Sequence, residues 1–381
     1  MKITGDWITR PETRAVCDIL SAGGYQALFV GGCVRNALLG AAVADIDIAT
    51  DAHPDRVMDL AVRAGLKPVP TGIDHGTVTV VSGGLPHEIT SFRADIETFG
   101  RHAQVVFGQD IVADARRRDF TMNALYARPD GSVVDPLGGI ADLRARRVRF
   151  IEDPARRIRE DYLRILRFFR FHAWYGDPRS GLDPEALAAC VAAQDGLAGL
   201  SRERVGAEMR KLLAAPDPAP ALAAMQGAGI LQAVLPGADA RAMAPLVHLE
   251  SETDTAPDAI RRLALLGGEA VAERLRLSRA EDRRLDMLRK ALVEDRPAAE
   301  LGYRHGIGDG GDILLVRAAL VGEAPTPETW QELQRGAAAV FPVKPADLMP
   351  GLAGPALGAR LRALEARWIA SGFMLGREDL L

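Results

Sequence analysis

Cysteine is scarce in this chain. Of 381 residues only Cys17, Cys33 and Cys190 are cysteine, and no two have CxxC spacing. That excludes a disulfide framework or a structural zinc site and fits a reducing cytosol. No apolar run is long enough to cross a bilayer, so no membrane partner is expected. The N-terminal MKITGDWITR lacks the apolar segment of a signal peptide, and the expected location is cytoplasmic. Neither sign of charge dominates: 47 Lys+Arg against 51 Asp+Glu give a net charge of −4, which by itself points to no nucleic acid. Aromatics are few, at 5%. What remains is an ordinary globular composition, long enough for two to four domains with real cores.

The most informative stretch is Leu28–Thr50, LFVGGCVRNALLGAAVADIDIAT. An apolar run ends in Gly31-Gly32, a short helical pattern carries Arg35, and Asp45 and Asp47 flank Ile46. In a strand, alternate side chains share a face, so Asp45–Ile48 read as a strand turns both carboxylates one way. Two adjacent carboxylates repel unless a cation lies between them. Mg²⁺ suits them, because it takes one or two carboxylates plus substrate phosphates. The glycines let a phosphate approach backbone N–H groups at a helix start. The alternative is a plain strand–turn–helix with solvated aspartates.

The layout follows from periodicity. A helix is predicted over about Pro11–Ala22, opened by a Thr9/Glu12 capping box. Strands are expected at Tyr25–Val30, Thr77–Val81 and His87–Phe92, the last two joined by Ser82-Gly83-Gly84 in a hairpin. Helices are expected at Cys33–Leu39 and Pro54–Ala64. From Asp153 onward nearly everything has helical period. The expected class is therefore α+β and multidomain: a mixed β-sheet head followed by an all-α remainder. Residues 144–170 hold ten Arg against Glu152, Asp153, Glu160 and Asp161, a stripe that reads as a phosphate footprint or a solvated helix face.

Further candidates lie along the head. Glu88 shares a strand face with Thr90 and Phe92. Paired beside the aspartate strand, it would complete a three-carboxylate site able to activate a hydroxyl and neutralise a leaving pyrophosphate. In RRRDFTMN, Arg118 can clamp a phosphate, and Asp119 and Asn123, four apart on one helical face, can hold a ribose hydroxyl.

GGxxR, DIDIAT, HGTVTV (from His75), EITSFR, RRDFTMNAL, DPLGGIADL and REDYLRILRFFRF occur in an order that resembles the class II tRNA nucleotidyltransferases. These are the bacterial-type CCA-adding enzymes and their poly(A) polymerase relatives, with a polymerase-β-type nucleotidyltransferase head. The resemblance runs from about Leu28 to Leu213 and weakens beyond Pro236. It implies a head at 1–145 and helical neck, body and tail at 146–215, 216–320 and 321–381. It implies Mg²⁺ on Asp45 and Asp47; Glu88, by the strand pairing above, is the expected further catalytic carboxylate. Gly31, Gly32, Arg35 and Arg118 would hold the triphosphate, and Asp119 and Asn123 the ribose. Arg93, Arg167 and Arg170 would make further nucleotide or tRNA contacts. Arg93, Asp95, Arg101 and His102 fall where the family has a flexible loop. His248-Leu249 provides no His-Asp pair, so the phosphohydrolase domain of some relatives is not expected.

The EDxxR element, Glu160 to Arg164, is the expected nucleobase reader. Asp161 and Arg164 share a helical face at i,i+3. Cytosine and adenine each present an amino donor beside a ring-nitrogen acceptor, which Asp161 and Arg164 match. Uracil and guanine present the reverse, and two mispaired groups at roughly 1–3 kcal/mol each give about a thousandfold discrimination. The alternative is a Glu160–Arg164 surface ion pair. The expected function is template-independent transfer from CTP and ATP to the tRNA acceptor end, adding or repairing CCA, with no protein partner evident. A poly(A) polymerase, a partial CC- or A-adding enzyme, and a non-catalytic RNA-binding module are the alternatives.

Overall fold

A computed structural model describes residues 1–73, 76–99, 102–349 and 351–381, without the side chains of 94–99 and 102–106. The expectations placed on His75 and Arg101, and on the side chains of Asp95 and His102, lie outside the described residues. The chain forms two compact units: Met1–Glu208 with Gly227–Val234, and Met209–Gln226 with Leu235–Leu381.

The first unit opens with α1 (Asp6–Thr9) and α2 (Pro11–Ala22). The expected capping box is absent: Thr9 ends α1 and donates to its own Asp6 carbonyl (3.2 Å), and α2 starts after Arg10 with Pro11 in its first turn. Proline fits there because its missing N–H has no helical partner in any case. Next come β1 (Leu28–Val30), α3 (Gly32–Leu38), β2 (Asp47–Thr50), α4 (Pro54–Arg63), β3 (Lys67–Gly72), β4 (Thr77–Ser82) and β5 (Leu85–Ser91). β6 (Arg93–Phe99) and β7 (His102–Phe107) pair as a separate two-stranded sheet in the stretch where the resemblance places a flexible loop. Then follow α5 (Ile111–Arg116), a 3₁₀ turn at Thr121–Asn123, β8 (Tyr126–Ala127) and β9 (Val133–Val134).

Seven strands pair in the order β3-β4-β5-β2-β1-β8-β9. β2 and β5 are parallel, and β4–β5 is the predicted hairpin around Gly83-Gly84. β1 is shorter than predicted, starting at Leu28, and β2 is displaced by two residues to Asp47–Thr50, so Asp45 precedes it. The alternation survives, with Ile46 buried and Asp45 exposed. Phe92, expected on the face of Glu88, lies beyond the end of β5 and is fully buried.

The helices α6 (Gly139–Arg144), α7 (Pro154–Glu160), α8 (Leu163–Tyr175), α9 (Pro184–Ala192) and α10 (Arg202–Leu213) follow. The few phenylalanines concentrate here. Phe120 lies 4.9 Å from both Phe150 and Phe171, and Phe150 stacks on Phe168 at 5.7 Å. Ile158, Ile165, Leu166 and Phe169 are buried as predicted, which fixes the roll of α7 and α8; on α7 Arg156 and Arg159 are exposed, whereas Arg157 is buried.

α11 (Ala219–Gly227), in the second unit up to Gln226, and α12 (Ile230–Val234), in the first, come next, and the second unit continues with α13 (Met243–Glu252), α14 (Ala259–Leu266), α15 (Val271–Arg274), α16 (Arg279–Val293), α17 (Ala298–Val321), α18 (Pro327–Ala338), α19 (Gly354–Ala370) and α20 (Arg377–Leu380). The Ser278/Glu281 capping box is present at α16. Within this unit the fully buried Arg262 donates to Glu250 (2.6 Å) and to the Leu213 carbonyl (2.6 Å). Arg261 joins Glu250 to Asp312 (2.7 Å). Buried charges persist because each is neutralised and hydrogen-bonded. None of the described helices is long and apolar enough to cross a membrane.

Candidate functional site

At the centre of the first unit, the chain turns from β1 into α3 at Gly31, with φ +67° and ψ −117°. An L side chain is strained there, so glycine is required by backbone shape. A Cβ at Gly31 would sit 3.7 Å from Arg118 Nη1, so the turn faces that guanidinium directly.

Beside it, β2 and β5 place Asp47 and Glu88 opposite each other in parallel register. The expected neighbour relation is present. Asp45, Asp47 and Glu88 line one pocket of about 180 Å³ with Arg10 and Thr79. Burial, and then the Glu88 charge, push the Asp47 carboxyl up to about 6. Among the described residues no set of three His, Cys, Asp or Glu side chains is gathered closely enough to cage a metal. The donors nevertheless fit Mg²⁺. They are hard carboxylate oxygens whose mutual repulsion a divalent cation relieves, and Mg²⁺ completes its shell with substrate phosphates.

Asp47 also faces a larger cleft of about 410 Å³. Its lining includes Gly31, Gly32, Arg35, Arg118, Asp119, Asn123, Asp161, Arg164 and Arg167. Ten of the fourteen residues singled out from sequence thus line this one cleft, while Asp45 and Glu88 line the adjoining pocket. Arg93 and Arg170 line neither: Arg93 opens β6, and Arg170 pairs with Glu208 at 2.5 Å.

The cleft cations are held by neighbours. Arg118 donates to Asp114 (2.9 Å) and to the Tyr126 hydroxyl (3.1 Å). Burial pushes the Asp114 carboxyl up, but the Arg118 and Arg117 guanidiniums outweigh it and bring it to about 2. Arg35 is buried. It donates to Asn123 Oδ1, to Asn36 Oδ1 (3.0 Å) and to the Tyr175 hydroxyl (2.8 Å), and lies 3.9 Å from the Tyr175 ring centroid. Arg35 therefore ties α3 to the end of α8 as well as facing the cleft.

Asp119 and Asn123, the expected ribose pair, do not lie on an α-helix. Asp119 precedes the 3₁₀ turn and accepts from Asn123 Nδ2 (2.9 Å) and the Phe120 N–H (2.9 Å). Its other oxygen takes Arg167 Nε at 2.7 Å. Burial opposes the charge on Asp119, yet Arg167 and Asn123 hold its carboxyl at about 2. Arg167, expected to contact nucleotide or tRNA, is committed to Asp119 and lies 3.7 Å from Glu208.

Asp161 and Arg164, the expected base readers, also depart from a shared helical face. α7 ends at Glu160, and Asp161 is extended (φ −155°, ψ 106°) before α8 begins at Leu163. Asp161 accepts from the Leu163 N–H (3.1 Å) through one oxygen and from Arg204 Nη2 (2.6 Å) through the other. Arg164 donates to Glu160 (2.7 Å) and to the Arg157 carbonyl (2.7 Å). The Glu160–Arg164 ion pair is thus present, and both proposed readers still line the cleft.

Four participants escaped the sequence reading: Asp114, Tyr175, Arg204 as the partner of Asp161, and Glu208. Asp114 precedes Arg118 by four residues, a spacing that suggests an ion pair. The others are separated from their partners by dozens of residues and left no local signal.

Comparison with known proteins agrees with this geometry. Residues 27–149 match the model of the poly A polymerase head domain, and residues 181–241 match a probable RNA and SrmB-binding site of polymerase A. The Levilactobacillus brevis CCA-adding enzyme is 39% identical over 58% of this chain and 54% of its own, so the chain spans about half the length of that relative. The Geobacillus stearothermophilus CCA-adding enzyme is 34% identical over 87% of this chain and 83% of its own. A crystal structure of the Bacillus stearothermophilus CCA-adding enzyme in complex with CTP superposes with a TM-score of 0.73 at 29% identity, covering 97% of this chain and 95% of that one. Matched along most of its length in sequence and in fold, the chain belongs to the CCA-adding enzyme family.

Proposed function

We propose that this protein adds or repairs the CCA terminus of tRNA, transferring nucleotides from CTP and ATP to the 3′ end without a template and releasing pyrophosphate. The observation that carries the reading is convergence on one cleft: an anion-receptive glycine turn, a carboxylate at its edge, and Asp161 with Arg164 across from them.

The Gly31–Gly32 turn, Arg118 and Arg35 orient the triphosphate. Asp119 and Asn123 fix the ribose. Asp161 accepts the amino group of cytosine or adenine, Arg164 donates to the ring nitrogen, and uracil or guanine leaves both groups mispaired. Asp45 and Asp47 would hold Mg²⁺, with Glu88 beside them; when bound, it lowers the pKa of the attacking ribose hydroxyl and neutralises the departing pyrophosphate. In this reading residues 1–145 are the catalytic head and 146–215 the neck, and residues 216–320 and 321–381 bind tRNA. The three cysteines are buried and free, which fits action in the reducing cytosol.

The test uses tRNA ending at the discriminator base, Mg²⁺, and each triphosphate singly and combined, with the 3′ ends sequenced. Addition of C, C and A and no more is expected. A long A tail would identify a poly(A) polymerase, and addition of CC only, or of A only on CC ends, a partial enzyme.

A further inference from the structure

The ten arginines between residues 144 and 170 do not act as one stripe. Arg147 and Arg149 neutralise the buried Asp142. Arg156, Arg157 and Arg164 surround Glu160. Arg167 and Arg170 are taken by Asp119 and Glu208. Among the described residues Arg144, Arg146 and Arg159 form no ion pair, and the fold brings the first two to Arg179.

We propose that Arg144, Arg146 and Arg179 form a phosphate-contact surface that grips the backbone of the RNA acceptor outside the reaction cleft. The proposal rests on the reading of tRNA as substrate. The three exposed guanidiniums ring an open cavity of about 590 Å³ whose lining holds a single acid, Asp177. Asp177 is largely occupied by its own turn: Oδ1 accepts from the Arg179 N–H (3.0 Å) and Oδ2 from Ser180 Oγ (2.9 Å), with Arg179 Nε 3.5 Å from Oδ1. The Asp177 N–H donates to the Arg146 carbonyl (3.0 Å), which locks the two loops together and fixes the spacing of the cations.

The backbone at Arg146 is a second, independent observation. α6 ends in a Schellman motif: the Arg146 N–H bonds Leu143 O (3.1 Å), and the Arg147 N–H bonds Asp142 O (2.9 Å). Arg146 occupies the left-handed position, φ +49°, where glycine is favoured. A side chain there adds strain and puts one more guanidinium at the cavity rim. An outlier of this kind points toward a use for the side chain.

The location fits a polynucleotide. Phe171 lines the reaction cleft, and α8 continues past it to Tyr175, just before the Asp177 turn. From Arg164 near its start to Tyr175, α8 runs roughly 16 Å at 1.5 Å per residue, so the surface is close enough for one RNA strand to reach both. Exposed, spread cations suit repeated phosphates, whereas one small anion calls for buried converging donors. Arginine pairs bidentately with phosphate oxygens.

The test measures binding of tRNA lacking CCA to the full chain by fluorescence anisotropy across a salt series, with KM for CTP alongside. Variants are R146G, R179E and the triple R144A/R146G/R179A. For the triple, tRNA affinity is expected to fall about tenfold or more, and the slope of log K against log salt to become shallower by about 2 to 3. KM for CTP stays unchanged, and R146G keeps or raises the melting temperature. A folded triple variant with wild-type affinity and slope overturns the proposal, as does an equal rise in KM for CTP. If wild-type protein binds tRNA with a slope that depends on these residues yet adds no nucleotide, the surface stands and the activity reading falls.

Discussion

Arg204 Nη2 lies 2.6 Å from Asp161 Oδ2, a contact that joins residues forty-three positions apart at the edge of the cleft. With the Leu163 N–H on its other oxygen, Asp161 is aimed from both sides. Under the proposed reading, base selection depends on Arg204 as well as on Asp161 and Arg164. Arg204→Ala should lower kcat/KM for CTP about tenfold, equivalent to one charge-assisted hydrogen bond, and narrow the gap between CTP and UTP. Single-nucleotide addition kinetics would show this. An unchanged CTP/UTP ratio would leave Arg204 a structural role only. Asp161→Ala should erode the discrimination further.

Asp47 and Glu88 face each other across parallel strands, and their like charges oppose each other. Under the proposed function, Asp47→Asn should reduce nucleotide addition by about a thousandfold or more, because the carboxylate proposed to hold the metal is lost. Without Mg²⁺ its melting temperature should equal or exceed that of the wild type, since one of two repelling charges is gone. A clear drop in calorimetry would mean that Asp47 stabilises the fold instead.

Tyr175 holds Arg35 by its hydroxyl and by its ring. Tyr175→Phe removes only the hydrogen bond, worth about 1 kcal/mol, and should raise KM for both CTP and ATP several-fold. Tyr175→Ala also removes the cation–π contact and should cost more. The preference for C and A over U should persist in both, because Asp161 and Arg164 are untouched. A loss of base selectivity would contradict this division of labour.

Asp114 and Asp119 sit at about 2 in the folded protein, against an ordinary value of 3.8. Their folded values are depressed, so their contribution is complete above about pH 4 and drains away as pH falls toward 2. Each contributes on the order of 2 kcal/mol. Thermal unfolding from pH 7 to pH 3 should show Asp119→Asn less stable than wild type at neutral pH, with the difference shrinking as Asp119 protonates. A constant difference would count against the assignment.

The sequence by itself determined the local chemistry. Gly31-Gly32, the alternation around Ile46, the Gly83-Gly84 hairpin and the buried face of α8 were legible, because turn chemistry and periodicity are local properties. So were the residue types that a metal-bound triphosphate needs, and their order along the chain. Only the tertiary structure decided which of them meet. The break between Glu160 and Leu163 was hidden because helical spacing continues across it, while the hydrogen bonds of Asp161 to Leu163 and Arg204 hold it open. The arginine run was equally undecided in one dimension. Asp142, Glu160, Asp119 and Glu208 neutralise most of it, and each of these pairs forms at a distance and burial that only packing sets.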